Sequence, residues 1–360
     1  MTDHVVTEVL GGVGYLTLTR PQALNALSLE MIRALTRALD DWANDPAVVG
    51  VVIAGAGGKA FCAGGDIRFF HQAALAQDPL LGQFFAEEYA LNHRIHRYPK
   101  PYVALMDGVV MGGGMGISQG AVRRLVTDRT RMAMPETNIG LFPDVGGGWF
   151  LARTPGRIGE YLGLTGTVIG AADALYAGLA DAFLPANALA ELQASLRASR
   201  FDSGAALLAA IDAATANHAA ACDPAQGMLA RERQAIDAAF AAPSVQQVLV
   251  HVSDAPGDWA AQTAAMLRAR SPLMLCVTLE QIRRARDMCL EDELRMELDM
   301  MHAVFREGDG VEGIRALAID KDHAPKWRPA RLDEVERARV MAFFDSPWPA
   351  ASHPLASLRG

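Results

Sequence analysis

Residues 13–18, VGYLTL, alternate between core-facing and polar positions as a half-buried strand does, and the run stops at Pro21. Ser28 then stands as a helix cap ahead of Met31, Leu35, Leu39 and Trp42, whose spacing predicts a helix ending near Asn44-Asp45-Pro46. Two later runs, VVGVVIAGA and PYVALMDGVV, are nearly continuous apolar stretches rich in β-branched residues, the pattern of strands covered on both faces. Each feeds a glycine cluster, GAGGKAFCAGGDIRFF after the first and MGGGMGISQG after the second, and RMAMPETNIGLFPDVGGGWFLA repeats the theme. Strand, glycine turn and helix in repetition predict an α/β architecture in which the turns build the site.

From about residue 186 the pattern changes to alanine-rich helical sequence, ALAELQASLRAS, GAALLAAIDAATANHAAA and RERQAIDAAFAA, punctuated by Pro243, Pro256 and Pro272. The stretch from Ser271 to Gly308 has a 3.6-residue apolar period and predicts two helices, its mixed charges forming a solvated face. The expected organisation is a core over 1–190 that carries the site, a helical region over 191–343 packed on it, and a tail over 344–360 whose Pro, Ser and Ala content suits poor order.

Composition narrows the classes of function. The chain has 360 residues and is 51% hydrophobic, enough for a large core. Its 33 basic residues against 41 acidic ones give a net charge of −8, and no basic run exceeds two arginines, which argues against nucleic acid as a partner. Glycines and charges interrupt every apolar stretch, so no membrane association is expected. Cys62, Cys222, Cys276 and Cys289 show no paired short spacing, and MTDHVVTEVLGG lacks the order of a secretion signal. A cytoplasmic protein with reduced thiols is the expectation.

The glycine clusters and two acids carry the candidate chemistry. A carbonyl that gains negative charge is stabilised by backbone N–H donors fixed beforehand. Gly65, before Asp66 and a predicted helix, and Gly113, inside GGG before another, can each offer one, although the same glycines also suit plain tight turns. Glu136 and Asp144 lie eight residues apart around a short apolar run. Paired carboxylates can divide general-base, nucleophilic and orienting work, while Asp144 after Pro143 also suits a helix cap.

Other matches are weaker. GISQG fits G-x-S-x-G, but MGGGM precedes it where a strand is required, which places Ser118 inside a helix. GAGGKA lacks the phosphate-loop spacing and has Ala60 after its lysine. His93 and His96 lie one helical turn apart without an H-E-x-x-H pattern. Glu87 and Glu88 read as a solvated helix face unless that helix roofs a cleft.

KAFCAGGDIR, KPYVALMDGVVMGGGMGIS, MPETNIGLFPDVGGGWFLAR and FREGDGVEGIRALAIDKDHAPKWRP together resemble the crotonase superfamily, specifically its 3-hydroxyisobutyryl-CoA hydrolase branch. The resemblance runs from about residue 10 to 335. It implies a fold of repeated β-β-α units with a C-terminal helical region, and a coenzyme A thioester whose oxygen is bound by the N–H groups of Gly65 and Gly113. It further implies that Glu136 and Asp144 are catalytic and that Glu88 contacts substrate. Enoyl-CoA hydratases carry a second glutamate where this chain has Gly116, and commonly a glycine at the Asp144 position, so the resemblance favours hydrolysis over hydration. It implies an acyl-CoA substrate from valine breakdown, no metal or redox cofactor, and compatibility with a homo-oligomer, since such relatives often assemble as trimers or hexamers.

Overall fold

Two sheets share the repeat between them. The computed structural model describes residues 4–359, so the first three residues of the amino-terminal stretch and Gly360 of the tail lie outside the described residues. Among the described residues nine strands form, β1 (Val5–Leu10), β2 (Val13–Leu18), β3 (Gly50–Gly55), β4 (Ala60–Cys62), β5 (Tyr102–Met106), β6 (Val109–Met111), β7 (Arg123–Val126), β8 (Arg131–Ala133) and β9 (Ala182–Phe183). One sheet has the order β1-β2-β3-β5-β7-β9 and the other β4-β6-β8. Only β1 and β2 pair antiparallel in the larger sheet; the pairs β2–β3, β3–β5, β5–β7 and β7–β9 are parallel.

The pairs β3/β4, β5/β6 and β7/β8 each give their first strand to the larger sheet and their second to the smaller. The run PYVALMDGVV, expected as one strand, is two: Gly108 at φ +75° turns the chain between β5 and β6, and a side chain there would collide with the Lys59 carbonyl. β4 and β6 pair in parallel, Ala60 opposite Val109 and Cys62 opposite Val110, which aligns the glycine turns that follow them. The helix after β2 runs Leu29–Ala43, and Ser28 caps it by accepting the Met31 N–H.

The described chain forms two compact units, each assembled from three separated segments. One contains residues up to Gly65, Leu91–Met132 and Ile169–Arg231; the other contains Asp66–Ala90, Ala133–Val168 and the residues from Glu232 on. In the first unit the alanine-rich helices Ala186–Ala198 and Gly204–Ala216 supply Leu189, Leu192, Leu196, Leu207 and Ile211 to a buried cluster with Val13, Tyr15, Val52, Val103, Leu105 and Leu125. Burying each such aliphatic side chain is worth roughly 1.5–3 kcal/mol, so these helices belong to the sheet's own core.

The second unit is largely helical. Phe70, Phe84, Phe85 and Phe305 stack edge-on or tilted, with Phe70 and Phe84 ring centres 4.7 Å apart and Phe85 and Phe305 5.9 Å apart. Phe84 and Phe85 lie in the helix Leu80–His96, so this packing fixes the turn that carries Glu88 and Tyr89. The predicted helix pair is present as Pro272–Ala285 and Leu290–Glu307. The terminal residues run along the second of these helices, where Arg295 donates to the carbonyls of Leu355 and Leu358. Among the described residues no single helix is long and apolar enough to cross a membrane.

Candidate active site

The candidate site residues fall into two sets, one in each compact unit. The first set is a pair of backbone donors. Gly113 opens the helix Gly113–Gln119, a position whose N–H has no acceptor within the helix. Gly65 bridges Leu27, and the bond of that bridge runs from the Leu27 N–H to the Gly64 carbonyl at 2.8 Å, leaving the Gly65 N–H outside it. The two turns lie against each other. A methyl built on Gly64 would stand 3.6 Å from the Gly113 nitrogen, and one on Gly114 would collide with the Cys62 carbonyl, so the approach of helix to strand depends on the absence of a side chain there.

The second set is acidic. Glu136 opens a 3-10 turn, Glu136–Ile139, just after β8 and Pro135. Asp144 lies in the loop that leads into the helix Gly147–Ala152, and Glu88 lies in the helix Leu80–His96. All three carboxylates are buried, at 2%, 6% and 7% exposure for Glu88, Glu136 and Asp144, although Glu88 had the sequence signature of a solvated face. Glu88 Oε1 and Glu136 Oε2 have no hydrogen-bond partner in the structure.

Electrostatics couples the three. Burial, followed by the charge of Asp144, holds the carboxyls of Glu88 and Glu136 well above the usual carboxylate range. Burial also pushes Asp144 up to about 7, against the opposing pull of the Tyr89 hydroxyl and of its own backbone N–H. Tyr89 donates to Asp144 Oδ2 at 2.9 Å, and its phenol is itself raised well above its usual value by burial and by Asp144, so it remains a donor. Clustered acids with raised and separated proton affinities can pass protons near neutral pH.

Asp144 does not cap the helix that follows it. Gly146 holds that position at φ +84°, and the loop N–H groups go to Glu297 instead. Glu297 and its neighbour Glu293 are fully buried, which corrects the expectation that charges of the 271–308 stretch form only a solvated face. Their positions fall on the apolar stripe of Leu290, Leu294, Met300 and Val304, and that register was the signal to read. Tyr89, Gln281, Glu293 and Glu297 were all missed from sequence.

Ser118 and Gly116 take structural places in one helix. Ser118 lies inside its helix, as its context indicated, and its hydroxyl donates to the carbonyls of Gly114 at 2.9 Å and Met115 at 3.1 Å. Gly116 is buried in the same helix. Among the described residues no three His, Cys, Asp or Glu side chains are grouped as a metal ion would need.

Comparison with known proteins shows the family. Residues 13–344 match the family model described as enoyl-CoA hydratase/isomerase. The mitochondrial 3-hydroxyisobutyryl-CoA hydrolase of Xenopus tropicalis is 40% identical over 352 residues, 96% of this chain and 91% of that protein. The Homo sapiens protein of the same name is 38% identical over 345 residues, 96% of this chain and 89% of that one. A solved structure described as a carnitinyl-CoA dehydratase from Mycobacterium thermoresistibile superposes with a TM-score of 0.89 at 40% identity, covering 99% of both chains. One described as an enoyl-CoA hydratase from Rhodobacter sphaeroides 2.4.1 gives 0.85 at 37% identity, covering 96% of this chain and 98% of that one. The expectation of a cytoplasmic protein is corrected by the curated relatives, whose names place them in mitochondria. Cysteine spacing reports the redox state of thiols and not the compartment that holds them.

Proposed function

The chain belongs to the enoyl-CoA hydratase/isomerase family, and from that membership we propose that it hydrolyses a short branched 3-hydroxyacyl-CoA thioester, 3-hydroxyisobutyryl-CoA, to 3-hydroxyisobutyrate and coenzyme A. The observation that carries the reading is the buried acid pair: Asp144, tuned to about 7, electrostatically coupled to Glu136, one of whose oxygens has no partner. Relatives named as this hydrolase, matched over 91% and 89% of their length, support it.

In this reading the Gly65 and Gly113 N–H groups receive the thioester oxygen and favour the tetrahedral oxyanion, each donor worth on the order of 3 kcal/mol. Glu136, once ionised, either attacks the carbonyl carbon to form a mixed anhydride or takes a proton from a water that attacks it. The C–S bond then breaks and the thiolate takes a proton, from Glu136 in the water route and from solvent in the anhydride route, where a water afterwards cleaves the anhydride and frees both Glu136 and the 3-hydroxy acid. Asp144 accepts the hydrogen bond of the substrate hydroxyl and Glu88, kept protonated by burial, donates one to its oxygen, so a substrate without that hydroxyl leaves buried acids unpaired and is rejected. Coenzyme A enters as part of the substrate, and the chemistry needs no resident cofactor. The reaction belongs to valine breakdown.

A second reading, hydration or dehydration of an acyl-CoA, is favoured by the descriptions of the two solved structures. It lacks a second acid near the glycine triplet, where Gly116 is buried in a helix. Thiol release from 3-hydroxyisobutyryl-CoA, with crotonyl-CoA in parallel, separates the two. Release from the hydroxyacyl thioester, abolished in Glu136→Gln, supports hydrolysis; no release, with loss of crotonyl-CoA absorbance, means a hydratase.

A further inference from the structure

The loop 143–146 that carries Asp144 and runs into the helix Gly147–Ala152 belongs to no sheet, and its backbone is unusual. Val145, a β-branched residue, sits at φ +58°, and Gly146 follows at +84°. A β-branched side chain in the left-handed region costs conformational energy of order 1–3 kcal/mol and persists only where surrounding contacts hold it. Those contacts are two side chains. Glu297 accepts the Gly146 N–H on Oε2 at 2.8 Å and the Gly148 N–H on Oε1 at 3.2 Å. Gln281 Nε2 donates to the Pro143 carbonyl at 2.7 Å and to Glu297 Oε1 at 3.1 Å. Backbone groups on both sides of Asp144 are thus tied to one carboxylate–amide pair.

We infer that Glu297, held by Gln281, is a positioning residue that fixes the backbone on which Asp144 is presented. For the catalytic consequence the inference rests on the hydrolase reading; for the geometry of the loop it does not.

Glu293 lies one helical turn before Glu297, and both are buried, so two like charges would face each other without solvent. Such a pair retains one proton. Three N–H donors converge on Glu297, and burial raises both carboxyls, Glu293 to about 7 and Glu297 well above the usual carboxylate range, so the proton is held between the two acids. A methyl on Gly148 would collide with Glu293 Oε1 and stand 2.9 Å from Gln281 Nε2, so a glycine at that position is what admits the acids to the loop. Tyr89 feels the charge of Glu297 as well as that of Asp144, which links the clamp to the same acid cluster.

The test combines steady-state hydrolysis of 3-hydroxyisobutyryl-CoA with amide hydrogen exchange of the full-length protein, for wild type, Glu297→Gln, Gln281→Met and Glu293→Gln. Glu297→Gln removes one acceptor at nearly constant shape. The expected result is kcat lowered about 10–100-fold with KM within about 3-fold, and exchange of the 143–150 segment at least about tenfold faster while the rest of the protein is unchanged. Gln281→Met gives the same pattern and stands in if Glu297→Gln does not fold. Glu293→Gln, which leaves Glu297 its three N–H donors, leaves both readouts near wild type. Wild-type kcat in Glu297→Gln, or exchange in 143–150 no faster than wild type, overturns the inference, as does a loss that follows global unfolding alone. If the wild-type chain releases no thiol at all, the hydrolase reading fails, and the exchange of 143–150 still decides whether the clamp exists.

Discussion

The Tyr89 hydroxyl donates a 2.9 Å hydrogen bond to Oδ2 of Asp144, and both side chains are buried in the same unit. This bond favours the ionised acid and opposes the burial that lifts Asp144 to about 7. An ionised Asp144 accepts the substrate hydroxyl, so hydrolysis rises as pH climbs through about 7. Tyr89→Phe removes the opposing pull and moves the acidic limb of the kcat profile upward, by roughly half a unit to one unit. An unmoved limb would mean that Asp144 is not the group that titrates in the rate.

Stability should respond to pH in a definite direction at the same residue. The folded Asp144 titrates at about 7 and the unfolded one near 3.8. Between those values the folded state binds the extra proton, so this group's contribution to stability falls as pH rises. Asp144→Asn, which keeps an acceptor for Tyr89 but never ionises, should melt close to wild type at pH 4 and several degrees above it at pH 8. Thermal melts at the two pH values check this; an equal difference at both would count against the shift.

Gly114→Ala probes the first set of site residues. The added methyl meets the backbone carbonyl of Cys62, which cannot step aside as a flexible side chain would, so the start of the helix and the Gly113 N–H must move. Loss of one donor at the thioester oxygen lowers kcat on the order of 100-fold. Circular dichroism beside the kinetics separates this from unfolding.

Ser118→Ala should leave turnover within about twofold of wild type, because the hydroxyl only returns to the carbonyls of its own helix at Gly114 and Met115. Loss of thiol release in this variant would instead point to a serine nucleophile.

Much of the fold was legible locally. Ser28 and the spacing of Met31, Leu35, Leu39 and Trp42 specify the helix Leu29–Ala43 without tertiary help, because caps and periodicity act within a few residues. The glycine clusters marked the strand-to-helix turns at Gly65 and Gly113 for the same reason. The split of PYVALMDGVV was not legible, because Gly108 turns the chain against the carbonyl of Lys59, a residue of the turn before β4 that is distant in sequence. Glu297 illustrates the same limit: its charge reads as solvated, and only the packing of the helix 290–307 brings Gly146, Gly148 and Gln281 to it.

The sequence by itself determined the helix and strand types, the repeat of strand, glycine turn and helix and, through motif resemblance, the β-β-α form of that repeat and the candidate residues Gly65, Gly113, Glu88, Glu136 and Asp144. Only the tertiary structure decided that the three carboxylates among these are buried in one cluster, that Tyr89 holds Asp144, and that the alanine-rich helices 186–216 share the buried core of the sheet. The physical reason is range. Hydrogen-bonded turns, caps and apolar periods are fixed within about one helical turn of sequence, whereas the proton affinity of an acid depends on how much water its neighbours exclude, and those neighbours come from segments tens to hundreds of residues away.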